Sequence, residues 1–329
     1  MKKHFFWLAA IVLSVGLVLS ACGTQDNAAI PQVGQQEDGQ QNSGQDSQLT
    51  GAENNQPGED VQPAQGIEPS SELDSGIPAE RQQVEIQTAD GRVLEGYYYP
   101  AKFADAPVVV LMHWAPGSMQ DWETLALWLQ NRPDEIAAPQ DGSRPFHDAS
   151  WFPEMPEDNS FAVLIFNFGD YGASQYGGSR DSLVEDARAS LEYAASLPSG
   201  NSHQVASIGA SIGADGVVDG CYLFNDGGEM GTCIGALSLS PGNYLTDEFS
   251  YAFAAEMINL SGYPVWCLAA ENDGASPDLC ASLPGDFNQS FIFSGRHHGM
   301  ELIDPELSPV GPNLELNALE IIQEFLEGV

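Results

Sequence analysis

The sequence predicts an α/β domain with a mostly parallel central sheet flanked by helices. Three observations carry this expectation. Short, continuously apolar, β-branched runs recur between residues 106 and 295, longer amphipathic stretches alternate with them, and the 249 residues from Arg81 to Val329 suffice for one sizeable core. Strands covered on both faces need uninterrupted apolar runs, and alternation with helices makes such a sheet mostly parallel.

The elements follow in order. "QQVEIQTADGRVLEGYYYPA", 82 to 101, alternates apolar and polar residues around Asp90-Gly91 and predicts an antiparallel hairpin. "APVVVLMH", 106 to 113, is the first buried strand, and "SMQDWETLALWLQNR" follows as a helix with Trp122, Leu125, Trp128 and Leu129 at helical spacing. Residues 133 to 160 form one long irregular insertion, the kind of segment that serves as a lid or binding loop. Its Trp151, Phe152 and Met155 fit an acyl pocket or a local mini-core equally well. The next strand is "FAVLIFNF", 161 to 168, then a helix over 179 to 197, the strand "QVASIG", and a small-residue helix from Ile212 to Cys221. "IGALSLS" (234 to 240), "YPVWCLAA" (263 to 270) and "QSFIFSG" (289 to 295) complete the strands. An amphipathic helix closes the chain, with Gly328 as its C-cap.

The chain opens "MKKHFFWLAAIVLSVGLVLSAC", two lysines before an uncharged apolar stretch, which reads as a secretory signal over residues 1–21. Leu19-Ser20-Ala21-Cys22 resembles the bacterial lipoprotein signal. The resemblance implies a diacylglycerol on Cys22, membrane attachment through that lipid, and an extracytoplasmic, membrane-anchored location. Residues 22–80 read as a disordered acidic linker: positions 23 to 80 hold 11 acidic and no basic side chains, with too little apolar surface to offset ordering entropy. The domain is 81–329. Its 36 acidic against 8 basic residues, net −28, exclude nucleic acid as a partner and repel anionic substrates at long range. Cys221, Cys233, Cys267 and Cys280 are an even set in an exported chain, which favours disulfides. Of three connectivities, the local loops Cys221 with Cys233 and Cys267 with Cys280 each lie within one strand-helix neighbourhood. No metal-ligand spacing and no phosphate-binding glycine loop occur, so neither metal nor cofactor is expected.

Gly209-Ala210-Ser211-Ile212-Gly213 places a serine between glycines where a strand gives way to a helix. A serine on so sharp a turn is strained, and is tolerated only if the residues two before and two after lack bulk. In this setting the chain resembles the α/β-hydrolase superfamily (serine esterase and dienelactone-hydrolase-like) over nearly all of 83 to 329. "VVVLMHWAPGS" is similar to the family's third strand and oxyanion turn, with His113-Trp114 where His-Gly is usual. "FAVLIFNFGDYGAS" is similar to its fourth strand and turn, matched at Asn167, Gly172 and Ser174 and departing at Gly169 and Asp170.

The resemblance implies Ser211 as nucleophile, Asp273 in "ENDGASPD" as the acid with Glu271 in reserve, and His298 in "RHHGMEL" as the base with His297 as competitor. It also implies an oxyanion hole from the N–H groups of Ile212 and Ala115. His113 is expected to support the turn, and Asp215 and Asp219 to be solvated or capping residues. The leading expectation is cofactor-free hydrolysis of a neutral carboxylic ester or related small acyl compound. Peptide or thioester cleavage, acyl transfer, and a non-catalytic binding protein on the same scaffold are the alternatives.

Overall fold

The computed structural model describes residues 80–103, 106–131, 145–157, 159–197, 203–228, 230–310 and 315–329. The expected signal, Cys22 and the linker as far as residue 79 lie outside them, as does 132–144 of the insertion. Among the described residues, no helix is long and apolar enough to cross a membrane.

Strands β1 (Gln82–Gln87) and β2 (Val93–Tyr99) form the expected hairpin, closed by a turn in which Gly91, at φ 84°, donates to the Thr88 carbonyl at 2.9 Å. The other strands are β3 (Val108–Met112), β4 (Ala162–Phe166), β5 (Gln204–Ala210), β6 (Thr232–Leu239), β7 (Val265–Ala270) and β8 (Gln289–Phe293). They make one eight-stranded sheet in the order β1-β2-β4-β3-β5-β6-β7-β8. β2 runs antiparallel to β4, and every pairing from β4 to β8 is parallel. Crossovers between parallel strands require covering helices, which explains why β3, β4 and β7 are buried along their whole length.

Alternate residues of these strands feed two cores. Val109 and Leu111 pack with α1 (Glu123–Leu129) and α6 (Ala318–Glu327), whereas Val108, Val110 and Met112 pack with α2 (Ser182–Ser196) and α3 (Ile212–Gly227). α4 (Tyr251–Leu260) and α5 (Ser276–Ala281) join the second core through Ala254, Ile258 and Cys280. These two helices were not expected. α5 is too short to show a period. α4 has a signal that periodicity alone overlooks: Ser250 caps it by accepting from the Phe253 N–H at 3.2 Å.

Boundaries shift for local reasons. The helix expected from 118 to 132 begins as a 3-10 turn, Met119–Trp122, and α1 ends at Leu129. α3 runs six residues beyond Cys221, until Gly228 adopts the left-handed conformation, φ 60°. α6 starts at Ala318 because Asn317 accepts from the N–H groups of Leu319 and Glu320, at 2.9 and 3.0 Å.

The disulfides are Cys221–Cys233 and Cys267–Cys280, with Cα separations of 5.4 and 5.3 Å, as expected. Each joins a helix to a strand of the second core. The unfolded protein should show no free thiol among these four without reductant, as read by alkylation and mass spectrometry. Replacing Cys221 and Cys233 together by serine should lower stability by about 2–4 kcal/mol in denaturant unfolding.

Candidate active site

Ser211, Asp273 and His298 each follow the carboxyl end of a parallel strand, β5, β7 and β8, where an open sheet places its loops. Ser211 sits between β5 and α3 at φ 54°, ψ −115°, a conformation that costs a non-glycine residue about 1–3 kcal/mol. The flanking glycines make it possible. A Cβ on Gly209 would lie 2.1 Å from the Gly213 carbonyl oxygen, and one on Gly213 would lie 2.1 Å from that of Met112. The Ser211 N–H donates to the Leu239 carbonyl of β6 at 2.8 Å, tying the turn to the neighbouring strand.

His298 follows β8, and its Nε2 lies 2.8 Å from Ser211 Oγ. On the other side of the ring, Nδ1 lies 2.9 and 3.0 Å from the two oxygens of Asp273, in the loop after β7. The two loops are stitched together: Asn272 donates through both its backbone N–H and its Nδ2 to the Gly295 carbonyl, at 3.0 and 3.1 Å. The three groups expected from sequence thus form one contiguous chain of contacts. Of the reserve candidates, Glu271 is exposed and His297 lies with its ring beside Gly295.

Two further residues position His298, and the sequence reading passed over both. Glu301 accepts the His298 N–H at 3.0 Å, and Ser240, fully buried at φ 64° after β6, accepts the Gly299 N–H at 2.9 Å. Glu301, three positions after His298 at the start of a 3-10 turn, had a capping-type signal. Ser240 had none, because its role depends on a strand end meeting a loop 59 residues away.

The turn after β3 is built around His113, which is fully buried. Burial depresses its pKa to about 4, so the ring is neutral. Its Nδ1–H donates to the Trp114 carbonyl at 2.9 Å, while Nε2 accepts the Phe168 N–H at 3.1 Å. This is the supporting role expected. Trp114, in place of glycine, turns its indole inward, donates from Nε1 to Asp121 at 2.6 Å and packs over Gly299. Among the described residues, no acceptor takes the N–H of Ala115, in the turn after β3, or of Ile212, the residue after Ser211. The Gly169-Asp170 departure is accommodated by Asp186, which accepts the Gly169 N–H at 2.8 Å and pairs with Arg92 at 2.5 Å.

Beside Trp114 opens a cavity of about 410 Å³, lined by Trp114, Phe146, Trp151, His297, Met300, Glu301 and Asp304. The aromatic residues of the insertion divide between the two expected roles. Trp151 lines the cavity and also packs on the first core, whereas Phe152, on Trp128 with ring centroids 5.6 Å apart, and Met155 serve the core alone among the described contacts.

Asp215 and Asp219 correct the sequence reading: they are buried, not solvated. Asp215 accepts the N–H of Gly242 at 2.9 Å and that of Tyr244, holding the loop after β6 against α3. Burial raises its pKa to about 6. Asp219 Oδ1 has no partner among the described residues, and burial, reinforced by the charge of Asp215, pushes its pKa up to about 8. The signal lay in the composition of the helix: from 212 to 221 every other residue is small or apolar, leaving no polar face for two carboxylates.

No protein-family model matches the sequence, and no curated protein matches it. Solved structures do. DcsB, seen in complex with its substrate analogue, is similar with a TM-score of 0.52 at 12% identity, covering 76% of this chain and 99% of that one. An α/β-hydrolase from Novosphingobium aromaticivorans gives 0.49 at 13% identity over 77% and 100% of the two chains. An esterase of Pyrococcus furiosus gives 0.45 at 16% over 66% and 83%. By its strand order and its likeness to DcsB, the chain has the α/β-hydrolase fold.

Asp219 yields a test of the buried acid pair. Its folded pKa lies above the ordinary 3.8, so its contribution is fully present below about pH 4 and is lost as pH rises towards 8, by up to about 1.4 kcal/mol per pH unit. Asp219→Asn should leave the melting temperature nearly unchanged at pH 4 and raise it progressively towards pH 8. Thermal unfolding across that range reads the difference.

Proposed function

We propose that this α/β-hydrolase fold carries a serine hydrolase that cleaves a carboxylic ester or related acyl bond, and that the chain belongs to the α/β-hydrolase superfamily. The observation supporting the reading is the unbroken line of contacts from Ser211 Oγ through the His298 ring to Asp273, at 2.8 and 2.9 Å. Nucleophilic catalysis needs such a line: an alcohol is a weak nucleophile until a base accepts its proton.

In the proposed reaction, Ser211 Oγ attacks the carbonyl carbon while His298 Nε2 takes the hydroxyl proton. Asp273 accepts the Nδ1–H, which fixes the ring's tautomer and stabilises the imidazolium. The oxygen of the tetrahedral intermediate accepts from the N–H groups of Ile212 and Ala115. Collapse breaks the bond to the leaving alkoxide, which departs with the proton held by His298. Water then attacks the acyl-serine by the same route and releases the acid. The strained backbone of Ser211 holds Oγ in place as it attacks and, when water displaces it from the acyl group, as it leaves with the proton returned by His298.

The remaining expectations join this proposal. Cys22 carries a diacylglycerol, residues 22–80 tether the domain to the membrane, and the hydrolase acts outside the cytoplasm, where the two disulfides persist. Radiolabelled palmitate incorporated in the native chain and absent from Cys22→Ala tests the anchor.

A fluorophosphonate probe should label the protein at Ser211, and Ser211→Ala should abolish both labelling and p-nitrophenyl ester hydrolysis. His298→Gln should lower kcat/KM by about 10⁴-fold, and Asp273→Asn by a similar order. Labelling that persists in Ser211→Ala would remove the serine from the reaction.

A further inference from the structure

We infer that Asp215, on the helix that begins after Ser211, is a positioning residue for the proposed hydrolysis: its ionised carboxylate holds one loop that braces the segments of all three reacting side chains. The inference rests on the hydrolase reading and assigns that site a further residue.

The loop is the one after β6. At its start the Leu239 carbonyl accepts the Ser211 N–H at 2.8 Å. Next, the Ser240 hydroxyl accepts the Gly299 N–H at 2.9 Å, beside His298, and the Ser240 N–H donates to Leu268 of β7 at 2.8 Å. At the far end the Tyr244 hydroxyl faces Ser276 and lies within electrostatic reach of Asp273, and the Ser276 N–H donates to the Asp273 carbonyl at 3.1 Å. The serine, histidine and aspartate segments therefore meet in one stretch, 239–244.

That stretch does not hold its own shape. From 240 to 244 it is neither strand nor helix, and Ser240 and Asn243 sit in the left-handed region at φ 64° and 57°. The Tyr244 ring folds back over Gly242, where a Cβ would lie 2.1 Å from it. Asp215, fully buried in the first turn of α3, supplies the missing partner. Its oxygens accept the N–H of Gly242 at 2.9 Å and that of Tyr244, and the Asn243 amide faces it as well. Its own N–H donates to the Ser211 carbonyl at 3.3 Å, which ties the loop to the turn of the nucleophile.

Charge matters to this hold. An ionised carboxyl offers two acceptor oxygens, whereas protonation turns one of them into a donor set against an amide N–H. The titratable and charged groups facing Asp215 are Asp219 on its own helix, Arg180 ahead of α2, Tyr244 in the loop and Tyr251 at the start of α4. Arg180, the cation among them, is paired with Asp247 at 2.6 Å. Burial outweighs the amides and Arg180 and leaves the pKa at about 6, so the carboxyl loses its proton as pH rises towards neutrality.

The test follows hydrolysis of p-nitrophenyl butyrate by the full-length protein and its Asp215→Asn variant, from about pH 5 to about pH 8. Asparagine keeps one acceptor and puts a donor in place of the other, as the protonated acid does. The native-to-variant ratio of kcat/KM should be about tenfold at the alkaline end, carried by kcat with KM unchanged, and should approach unity at the acid end. Protonation of His298 is common to both proteins and cancels in the ratio. A ratio of unity throughout, a ratio that does not vary with pH, or a loss confined to KM overturns the inference and leaves the hydrolase reading intact. If the native protein cleaves no p-nitrophenyl ester and takes no fluorophosphonate label, the hydrolase reading fails. In that case, or if the variant does not fold, amide hydrogen exchange of the native protein decides. Protection of Gly242, Tyr244 and Gly299, corrected for intrinsic rates, should drop about tenfold over the same range towards acid while that of β5 and β6 holds. Unchanged protection at any of the three amides overturns the inference.

Discussion

The site depends on one backbone conformation, that of Ser211 at φ 54°, ψ −115°. The turn carries Ser211 past the end of β5, where its hydroxyl, though the residue is 5% exposed, lies 2.8 Å from the His298 ring. Such a conformation persists only where its surroundings over-determine it. Here the N–H is taken by Leu239, the carbonyl accepts the Ala214 N–H at 2.9 Å as α3 begins, and the space on both sides is closed to any Cβ. The parallel pairing of β5 with β3 and β6 supplies two of these constraints, so the sheet order comes before the site in the chain of causes.

Around that turn the loops brace one another more than they brace against solvent. Asp215 on α3 holds the loop after β6, Ser240 at the end of β6 holds Gly299, and Asn272 holds Gly295. The histidine is therefore placed by contacts from three strand ends as well as from its own segment. Burying Asp215 and Asp219 costs stability, because a carboxyl in an apolar helix layer loses its hydration. Asp215 recovers part of that cost through the amides it binds, whereas Asp219 recovers none at Oδ1. The layer behind the serine thus gives up stability at neutral pH for a loop held in register.

Much of this was legible in the sequence, for identifiable reasons. Buried parallel strands are written as apolar runs, so β3, β4, β5 and β7 stood out. The serine turn demands two glycines at fixed spacing, and Asp273 and His298 follow in the order the fold requires. Contacts between distant loops leave no local pattern, which hid Ser240. Asp215 and Asp219 were misread because helical acids are usually solvated, and the apolar character of their own helix was given too little weight. Short or capped helices such as α5 and α4 fell below the reach of periodicity. The aromatic residues of the insertion could not be divided between pocket and core until α1 and the loop after β8 gave them neighbours.

The two faces of the sheet are secured by different means. Both disulfides lie on the side that carries α3, α4 and α5, and each rivets a helix to its strand. The opposite side, where the segment bearing Phe146 and Trp151 walls the cavity, is held among the described residues by packing and hydrogen bonds, such as the one from Trp128 Nε1 to the Pro153 carbonyl at 2.7 Å. A lineage diversifying from this scaffold can rewrite the pocket wall freely, since no covalent frame runs through it, while the cross-linked half keeps the serine's footing unchanged.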